Sequence, residues 1–331
     1  MPKLFLVTLL LLAASSAFIY WYTLVMPGRS HAGPLAPLAD DELVMADSLR
    51  RHVEAIASRP HNTSFPKELE ASARKIEEIL SSFGYVPKSQ SFRASGVDVR
   101  NIEVVIEPAT AASADKVSTL VVGAHYDSAG NAPGANDNGS GVAALLELAR
   151  LLKSHVMTNT RLRLVFFVNE EPPHFKTELM GSLVYARSLA ASREKIRGML
   201  CLETLGAYSD APGSQKYPPP LSFALPNTAN FVAVVGTLNV RSLAAEVTRR
   251  FRESTAFPSL GGVAPAAIPG ITWSDHWSFG QVGIPAVMIT DTALFRYPHY
   301  HLPSDTPDKL DYERLARVTA GIGRVIRGMA N

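Results

Sequence analysis

Histidine and carboxylate side chains are grouped in a polar loop between two well-marked apolar segments. Residues 119–124 form a short, mostly apolar run that is typical of a strand buried on both faces, and residues 139–152 repeat apolar residues at the spacing of an amphipathic helix. His125, Asp127 and Asp137 lie between these elements or at their edges. Open α/β sheets place their sites just past the carboxyl ends of strands. The imidazole and carboxylate groups of this loop therefore predict a metal site.

Two later strand ends also carry acidic side chains. Glu170 and Glu171 follow the apolar strand predicted over 161–169, and Glu203 closes the strand predicted over 196–203. Adjacent carboxylates at a strand end point in different directions, so one can bind a metal while its neighbour transfers a proton. Taken alone, each would be a solvated loop or surface residue. We expect a functional role because these strands should end on the same sheet edge as the first loop.

A histidine-rich cluster follows the last predicted strand. Residues 297–306 read YPHYHLPSDT, and His299 and His301 would share one face of an extended chain, with Tyr300 on the other. The prolines of this segment disfavour a regular strand, so spacing alone does not choose between the two histidines. The tripeptide SDH at 274–276 is a lesser candidate.

The remaining pattern alternates apolar strands with amphipathic helices. This alternation predicts an α/β protein in which helices cover both faces of a central, mixed and mostly parallel sheet, a three-layer α/β/α sandwich. Two segments, 208–221 and 258–270, are rich in Pro and Gly and are predicted to be irregular. Helices are predicted over 43–56, 67–83, 139–152, 181–191, 230–251 and 306–329, and strands over 97–107, 116–124, 161–169, 196–203 and 284–290.

Composition limits the classes of protein to consider. The chain has 331 residues, 47% of them hydrophobic, which suffices for one large α/β domain or two ordinary ones. A formal net charge of +2, without a basic block beside aromatic residues, argues against nucleic-acid binding. Cys201 is the single cysteine, so no intrachain disulfide can form, and its apolar surroundings predict a buried strand thiol.

The amino-terminal segment predicts export. Residues 4–26 contain no charged side chain, and as a helix they would reach ~34 Å at 1.5 Å per residue. This length crosses a hydrocarbon core of ~30 Å. Residues 1–26 are therefore expected to be a membrane anchor, with a cleaved signal sequence as the alternative. We expect residues 27–40 to be a Pro/Gly-rich tether and residues 41–331 to be an extracytoplasmic catalytic domain.

The order of the candidate motifs resembles that of the co-catalytic dizinc exopeptidases, which include the secreted bacterial leucyl aminopeptidases. Glutamate carboxypeptidase II and glutaminyl cyclase are relatives of that family. Residues 59–61 and 301–308 look closest to bacterial relatives of the endoplasmic-reticulum metallopeptidases. The motifs are HxD at 125–127, G-x-N-D-N-x-S-G at 134–141, Glu170-Glu171, the strand end at Glu203, and Tyr300-His301.

The resemblance implies a site for two zinc ions. Asp137 would bridge them, His125 and Glu203 would complete one site, and Glu171 and His301 would complete the other. Mixed imidazole and carboxylate ligands suit zinc. A bridging carboxylate can hold two ions about 3.5–4 Å apart.

The resemblance also implies roles for three residues that do not bind metal. Glu170 would be the general base, Asp127 would hydrogen-bond the second nitrogen of the HxD imidazole, and Tyr300 would donate to the developing oxyanion. Asp305 is expected to orient the histidine ligand four residues before it. This sequence departs from the family pattern in two places. Glu203 stands where many members have Asp, and residues 172–179 lengthen a loop beside the site.

The leading interpretation is a zinc-dependent exopeptidase, an aminopeptidase that removes amino-terminal residues from peptides. One alternative is a glutaminyl-cyclase-type aminoacyl cyclase that uses a single zinc. Another is a metal-free binding module on the same fold, which is disfavoured because all five ligand positions and the base carry competent side chains. The sequence leaves the oligomeric state and the residue specificity open.

Overall fold

The computed structural model describes residues 2–109, 117–192, 194–217, 219 and 221–330. Over these residues the strands form one eight-stranded sheet in the order β1-β2-β4-β3-β5-β8-β6-β7. The strands are β1 (Lys88–Ala94), β2 (Val97–Ile106), β3 (Ser118–His125), β4 (Thr160–Phe167), β5 (Lys195–Glu203), β6 (Val232–Thr237), β7 (Ser259–Ala264) and β8 (Ala286–Thr290). The helices are α1 (Pro2–Leu24), α2 (Asp40–Ile56), α3 (Pro66–Ser82), α4 (Gly141–Leu152), α5 (Gly181–Ala190), α6 (Arg241–Ser254), α7 (His276–Gln281) and α8 (Tyr312–Ala330).

The four central strands, β4, β3, β5 and β8, run parallel to one another. Strands β1 and β2 add antiparallel pairs on one side, while β6 pairs antiparallel with β8 and parallel with β7 on the other. The sheet is therefore mixed and mostly parallel, as predicted. Because the central strands are parallel, their carboxyl ends all meet at one edge.

Helices pack on both faces of the sheet, which confirms the predicted α/β fold. Helices α2, α4, α6 and α8 contact one another on one face, while α5 and α7 contact each other and cover the central strands with a second apolar cluster. Helix α4 is buried along nearly its whole length because almost every position is apolar, and Leu145, Leu146 and Leu148 have no exposed surface. Fully burying each such side chain stabilises the fold by ~1.5–3 kcal/mol.

The predicted secondary structure is wrong in two segments, and it omits strand β1 and the short helix α7. The segment 230–251, predicted as one helix, contains β6 before α6, and the predicted loop 258–270 contains β7. Strand β1, with the polar sequence KSQSFRA, was not predicted. Lys116, the predicted start of β3, lies outside the described residues, as do Met1, Pro218 and Pro220.

Helix α1 is long and apolar enough to cross a membrane by length and composition, a test that signal sequences also pass. The residues that come directly after α1 in the chain pack against the rest of the protein. The Gly28 carbonyl oxygen accepts a hydrogen bond from Arg252 Nη1 at 3.0 Å, and Ser30 Oγ accepts one from the Ser259 N–H at 2.9 Å. Residues 27–40 therefore contact the domain at several points, rather than forming a free spacer.

Candidate metal centre

The carboxyl ends of three neighbouring strands bring ionisable side chains to one point. His125 is the last residue of β3, Glu203 is the last residue of β5, and Glu170 lies three residues beyond the end of β4. These strands are parallel and adjacent, so the side chains converge: His125 Nε2 lies 3.3 Å from Glu203 Oε2 and 3.9 Å from Glu170 Oε2. All three residues are buried.

Asp137 lies between two groups of candidate ligands. Its Oδ1 is 3.4 Å from His125 Nε2, and its Oδ2 is 3.0 Å from His301 Nε2. Glu203 accompanies His125 in the first group, and Glu171 Oε1 lies 3.2 Å from His301 Nε2 in the second. The two oxygens of one carboxylate therefore face two separate pairs of nitrogen and oxygen donors.

The unsatisfied polar atoms of this cluster fit a metal. Candidate donor atoms of His125, Asp137 and Glu171 lie within 4.8 Å of one another. Among the described residues, His125 Nε2, Asp137 Oδ2 and Glu171 Oε1 are buried without a hydrogen-bond partner of acceptable geometry. Buried polar atoms are normally paired, so these three indicate a ligand that accepts nitrogen and oxygen donors. Zinc binds this donor set.

The pKa shifts of the cluster also favour a bound cation. Burial raises the pKa of Glu171 to about 7, with the neighbouring Asp137 adding to the rise. Burial also raises the pKa of Glu170 well above its ordinary value. Burial alone would lower the pKa of His301, but Asp137 and Glu171 raise it to about 10. The carboxylates thus outnumber the imidazoles in a desolvated space, and divalent cations would relieve their repulsion.

Asp127 contacts both the His125 imidazole and the Glu170-Glu171 backbone. Its carboxylate accepts hydrogen bonds from the N–H groups of Glu170 at 3.0 Å and Glu171 at 3.1 Å. The imidazole Nδ1 of His125 is 3.1 Å from the carbonyl oxygen of Asp127 and 3.6 Å from its carboxylate. The carbonyl oxygen and the carboxylate of Asp127 therefore both lie beside this nitrogen, and the carboxylate also holds the backbone that presents Glu170 and Glu171.

The loop that carries Asp137 is held by Asp305, and not only by its own residues. The N–H groups of Asn136 and Asp137 donate to Asp305 Oδ1 and Oδ2 at 2.8 and 3.1 Å, and Tyr297 OH donates to Oδ1 at 2.8 Å. The expectation that Asp305 orients His301 is therefore wrong, because the Asp305 carboxylate instead accepts hydrogen bonds from Tyr297 and from the loop that carries Asp137. Sequence distance suggested the nearer partner, whereas the fold joins segments 168 residues apart.

The asparagines beside Asp137 also have partners that sequence reasoning missed. Asn138 Nδ2 donates to the Leu202 carbonyl oxygen at 2.8 Å, and its Oδ1 accepts from the Thr204 N–H at 3.0 Å. Gly134, at φ +74°, begins this turn, and a Cβ there would lie 2.6 Å from the Asp137 carbonyl oxygen. The Asn-rich, Gly-bounded loop is thus fixed to the end of β5.

Ser274 is a further contact that was only weakly signalled in the sequence. Its hydroxyl donates to Glu203 Oε2 at 2.5 Å. The next residue, Asp275, is fully buried, and burial raises its pKa to about 7. His276 directs Nε2 to the Ile271 carbonyl oxygen, 2.7 Å away, so it does not reach the cluster.

The segment after β8 separates the roles of its two histidines. His299 Nδ1 lies 2.9 Å from Ser304 Oγ, whereas His301 reaches Asp137 and Glu171. Tyr300 stacks on the imidazole of His301, with ring centroids 4.0 Å apart. The burial of Tyr300 and the nearby carboxylates raise the pKa of its hydroxyl, which keeps it a hydrogen-bond donor.

The backbone beside the ligands is strained. Asn169, Thr204 and His301 adopt left-handed conformations, with φ of 62°, 48° and 58°. Such conformations cost ~1–3 kcal/mol each for non-glycine residues and cluster at functional sites. Two of the three residues flank Glu170 and Glu203, so the strain occurs where the chain turns sharply to present these side chains.

A cavity of about 300 Å³ opens onto the cluster. Its walls include Glu170, Glu171 and His301, and Trp273 and Tyr300 contribute aromatic surfaces. The cavity is large enough for a small ligand. The cavity therefore gives a small ligand access to the cluster.

Comparison with known families agrees with this chemistry. The sequence pattern of Peptidase family M28 matches residues 101–326, more than half of the chain. The chain is a member of Peptidase family M28. This family is zinc-dependent, so the M28 peptidase described here is expected to bind zinc at the cluster. The uncharacterized protein YfbL of Escherichia coli (strain K12) is 40% identical over 272 residues, which cover 80% of this chain and 81% of YfbL.

Solved structures share the fold of the M28 peptidase at low identity. BSAP, a zinc aminopeptidase from Bacillus subtilis, superposes with a TM-score of 0.66 at 17% identity, over 89% of this chain and 97% of that one. The glutaminyl cyclase of Fimbriiglobus ruber superposes with a TM-score of 0.60 at 20% identity, over 92% and 99%. These likenesses establish the fold, and the chemistry is decided by the residues of the site.

Proposed function

We propose that this M28 peptidase is a two-zinc aminopeptidase that removes amino-terminal residues from peptides. The observation that carries the proposal is the placement of Asp137, whose Oδ1 faces His125 at 3.4 Å and whose Oδ2 faces His301 at 3.0 Å. Asp137 would bridge two ions, with His125 and Glu203 on one side and Glu171 and His301 on the other. Bound zinc would polarise the scissile carbonyl and lower the pKa of a coordinated water from ~15.7 to ~7.

The chain's own residues would handle the proton and the developing charge. Glu170 is buried at the wall of the cavity, so it would take the proton from the attacking water and pass it to the leaving amine. Its raised pKa suits an acceptor that later acts as a donor. Tyr300, whose raised pKa keeps it protonated, would donate a hydrogen bond to the oxyanion.

The charge of the cavity favours an amino over a carboxyl terminus. Its lining includes Asp137, Glu170, Glu171 and Glu203, while among the described residues neither Lys nor Arg lines it. Bound zinc would offset the charge of the three ligand carboxylates, but the described lining has no Lys or Arg side chain that could pair with a free substrate carboxylate. This supports an aminopeptidase rather than a carboxypeptidase.

We further propose that the enzyme is membrane-anchored with its catalytic domain outside the cytoplasm. The proposal rests on α1, whose Lys3–Leu24 span is long and apolar enough to cross a membrane and is exposed over most of its length. In this proposal the substrate is a peptide, and α1 attaches the enzyme to the bilayer.

The decisive experiment uses the full chain in detergent with aminoacyl-arylamides. Activity should be lost on exhaustive dialysis against a strong chelator and regained with zinc or cobalt, with two ions per chain by elemental analysis. Full activity without metal would overturn the proposal. Release of a lactam from amino-terminal Gln, with Leu and Ala substrates untouched and one ion per chain, would assign the protein to the cyclases instead.

A further inference from the structure

A second, larger cavity adjoins the metal centre. It has a volume of about 390 Å³, and its walls are largely apolar side chains of β6, β7 and the segment before α7. Glu203, Trp273 and Tyr300 line both this cavity and the smaller one over the cluster. The two spaces therefore adjoin at these three residues, and the apolar one lies next to the position of a substrate bound at the cluster.

The amino-terminal helix forms part of this apolar wall. Ile19, Thr23 and Leu24, all in the last two turns of α1, line the cavity together with Leu260 and Val263 of the edge strand β7. Helix α1 packs directly against β7. Ile19, Thr23 and Leu24 thus form part of the wall of the apolar cavity that adjoins the metal centre.

This end of α1 is held in place by specific contacts. Arg241 Nε donates to the Tyr22 carbonyl oxygen at 2.8 Å, and its guanidinium lies 5.0 Å from the ring centroid of Trp21. Met26 is buried, and a Cβ on Gly261 would lie 2.8 Å from its side chain. The glycine therefore allows the close approach of the helix end to β7.

The size and polarity of the cavity define what it can hold. A volume of about 390 Å³ lies within the ~300–1,000 Å³ that is typical of ligand-binding pockets. A branched aliphatic side chain of four carbons would fill only part of this space. An aromatic ring or an extended alkyl chain would bury more apolar surface, which is the main source of favourable binding energy there.

We propose that the end of α1 is a specificity-determining part of the substrate site, and that it selects amino-terminal residues bearing a large apolar group. The inference rests on the proposed aminopeptidase function. Ile19, Thr23 and Leu24 complete the wall against which this group packs. Selectivity for it therefore requires that the amino-terminal segment stay attached to the mature protein.

Leu24→Trp tests the inference, because the larger side chain would intrude into the apolar cavity. Val25→Trp is the matched control, since Val25 is exposed and does not line the cavity. In full-length protein in detergent, we expect kcat/KM for Phe-arylamide relative to Ala-arylamide to fall at least ~10-fold in the Leu24 variant, as even one methylene changes such ratios by ~10–200-fold. The control should keep the wild-type ratio.

Two further measurements distinguish a failure of this inference from misfolding of a variant and from a failure of the aminopeptidase proposal. Leu24→Ala, which enlarges the space, should shift the preference towards longer alkyl chains, and thermal denaturation shows whether each variant is folded. Calorimetric binding of phenethylamine should weaken in Leu24→Trp even if no arylamide is hydrolysed, in which case only the aminopeptidase proposal fails. Unchanged selectivity and unchanged amine binding in both Leu24 variants would overturn the inference.

Discussion

Replacing Glu170 by Gln removes a buried carboxylate while leaving the local backbone hydrogen bonds intact. The N–H groups of Glu170 and Glu171 donate to Asp127 at 3.0 and 3.1 Å, and neither bond involves the substituted side chain. Glu170 lies 3.9 Å from His125 Nε2, farther than Glu203 at 3.3 Å. We therefore expect the metal ligands to stay in position and only the proton acceptor to be lost.

The size of the effect follows from the role of the lost group. General-base assistance contributes ~10²- to 10⁴-fold in rate. At ~1.36 kcal/mol per tenfold, Glu170→Gln should raise the activation free energy by ~2.7–5.4 kcal/mol. Because Gln keeps the shape of Glu, the thermal denaturation midpoint should change little.

The adjacent residue provides the matched comparison. Glu171 Oε1 lies 3.2 Å from His301 Nε2, so Glu171→Gln replaces an anionic ligand by a neutral amide. Its metal affinity should fall by at least the ~10–100-fold that is typical of losing a partner outside the ligand shell. Arylamide kinetics and elemental analysis of both variants separate the two roles. Near-wild-type turnover in Glu170→Gln, or metal loss equal to that of Glu171→Gln, would refute the assignment.

Three other predictions test the site and its attachment. His301→Ala should lower metal content, while His299→Ala, which loses contacts with Ser304 and the Tyr297 ring, should leave it nearly unchanged; elemental analysis giving the reverse order would exchange their roles. Asp305→Ala should destabilise the fold by ~1–3 kcal/mol in chemical denaturation, because two backbone N–H groups lose their acceptor, and unchanged stability and metal content would contradict its role. The full chain should sediment with membranes, whereas a mature amino terminus sequenced between residues 17 and 38 would establish a cleaved signal.

The sequence predicted the centre of the sheet better than its edges. Strands β3, β4, β5 and β8 are buried on both faces, so they are nearly continuous apolar runs bounded by polar residues. Strand β1 lies at the edge and is polar, and β7 contains two adjacent glycines, so neither has the pattern of a strand. The run VAVVGT of β6 was joined to α6 because short apolar runs fit either period.

The strand-end argument predicted which residues would converge, but not what supports them. His125, Glu170 and Glu203 meet because the parallel neighbouring strands β3, β4 and β5 end at one edge of the sheet. The sequence shows where each of these strands ends. The hydrogen bonds of Asp305 to the bridging loop and of Ser274 to Glu203 join segments far apart in the chain. Such contacts depend on how loops pack, and no local pattern in the sequence specifies them.

The docking of residues 19–30 onto the catalytic domain also fixes the geometry of attachment. A helix of 23 residues spans ~34 Å, so a bilayer that enclosed α1 would place its far head groups beside the large cavity. The enzyme would then stand on the membrane at a set height and tilt, because no free spacer separates helix from domain. It would encounter substrates arriving by lateral diffusion along the surface at a much higher effective concentration than peptides in the bulk.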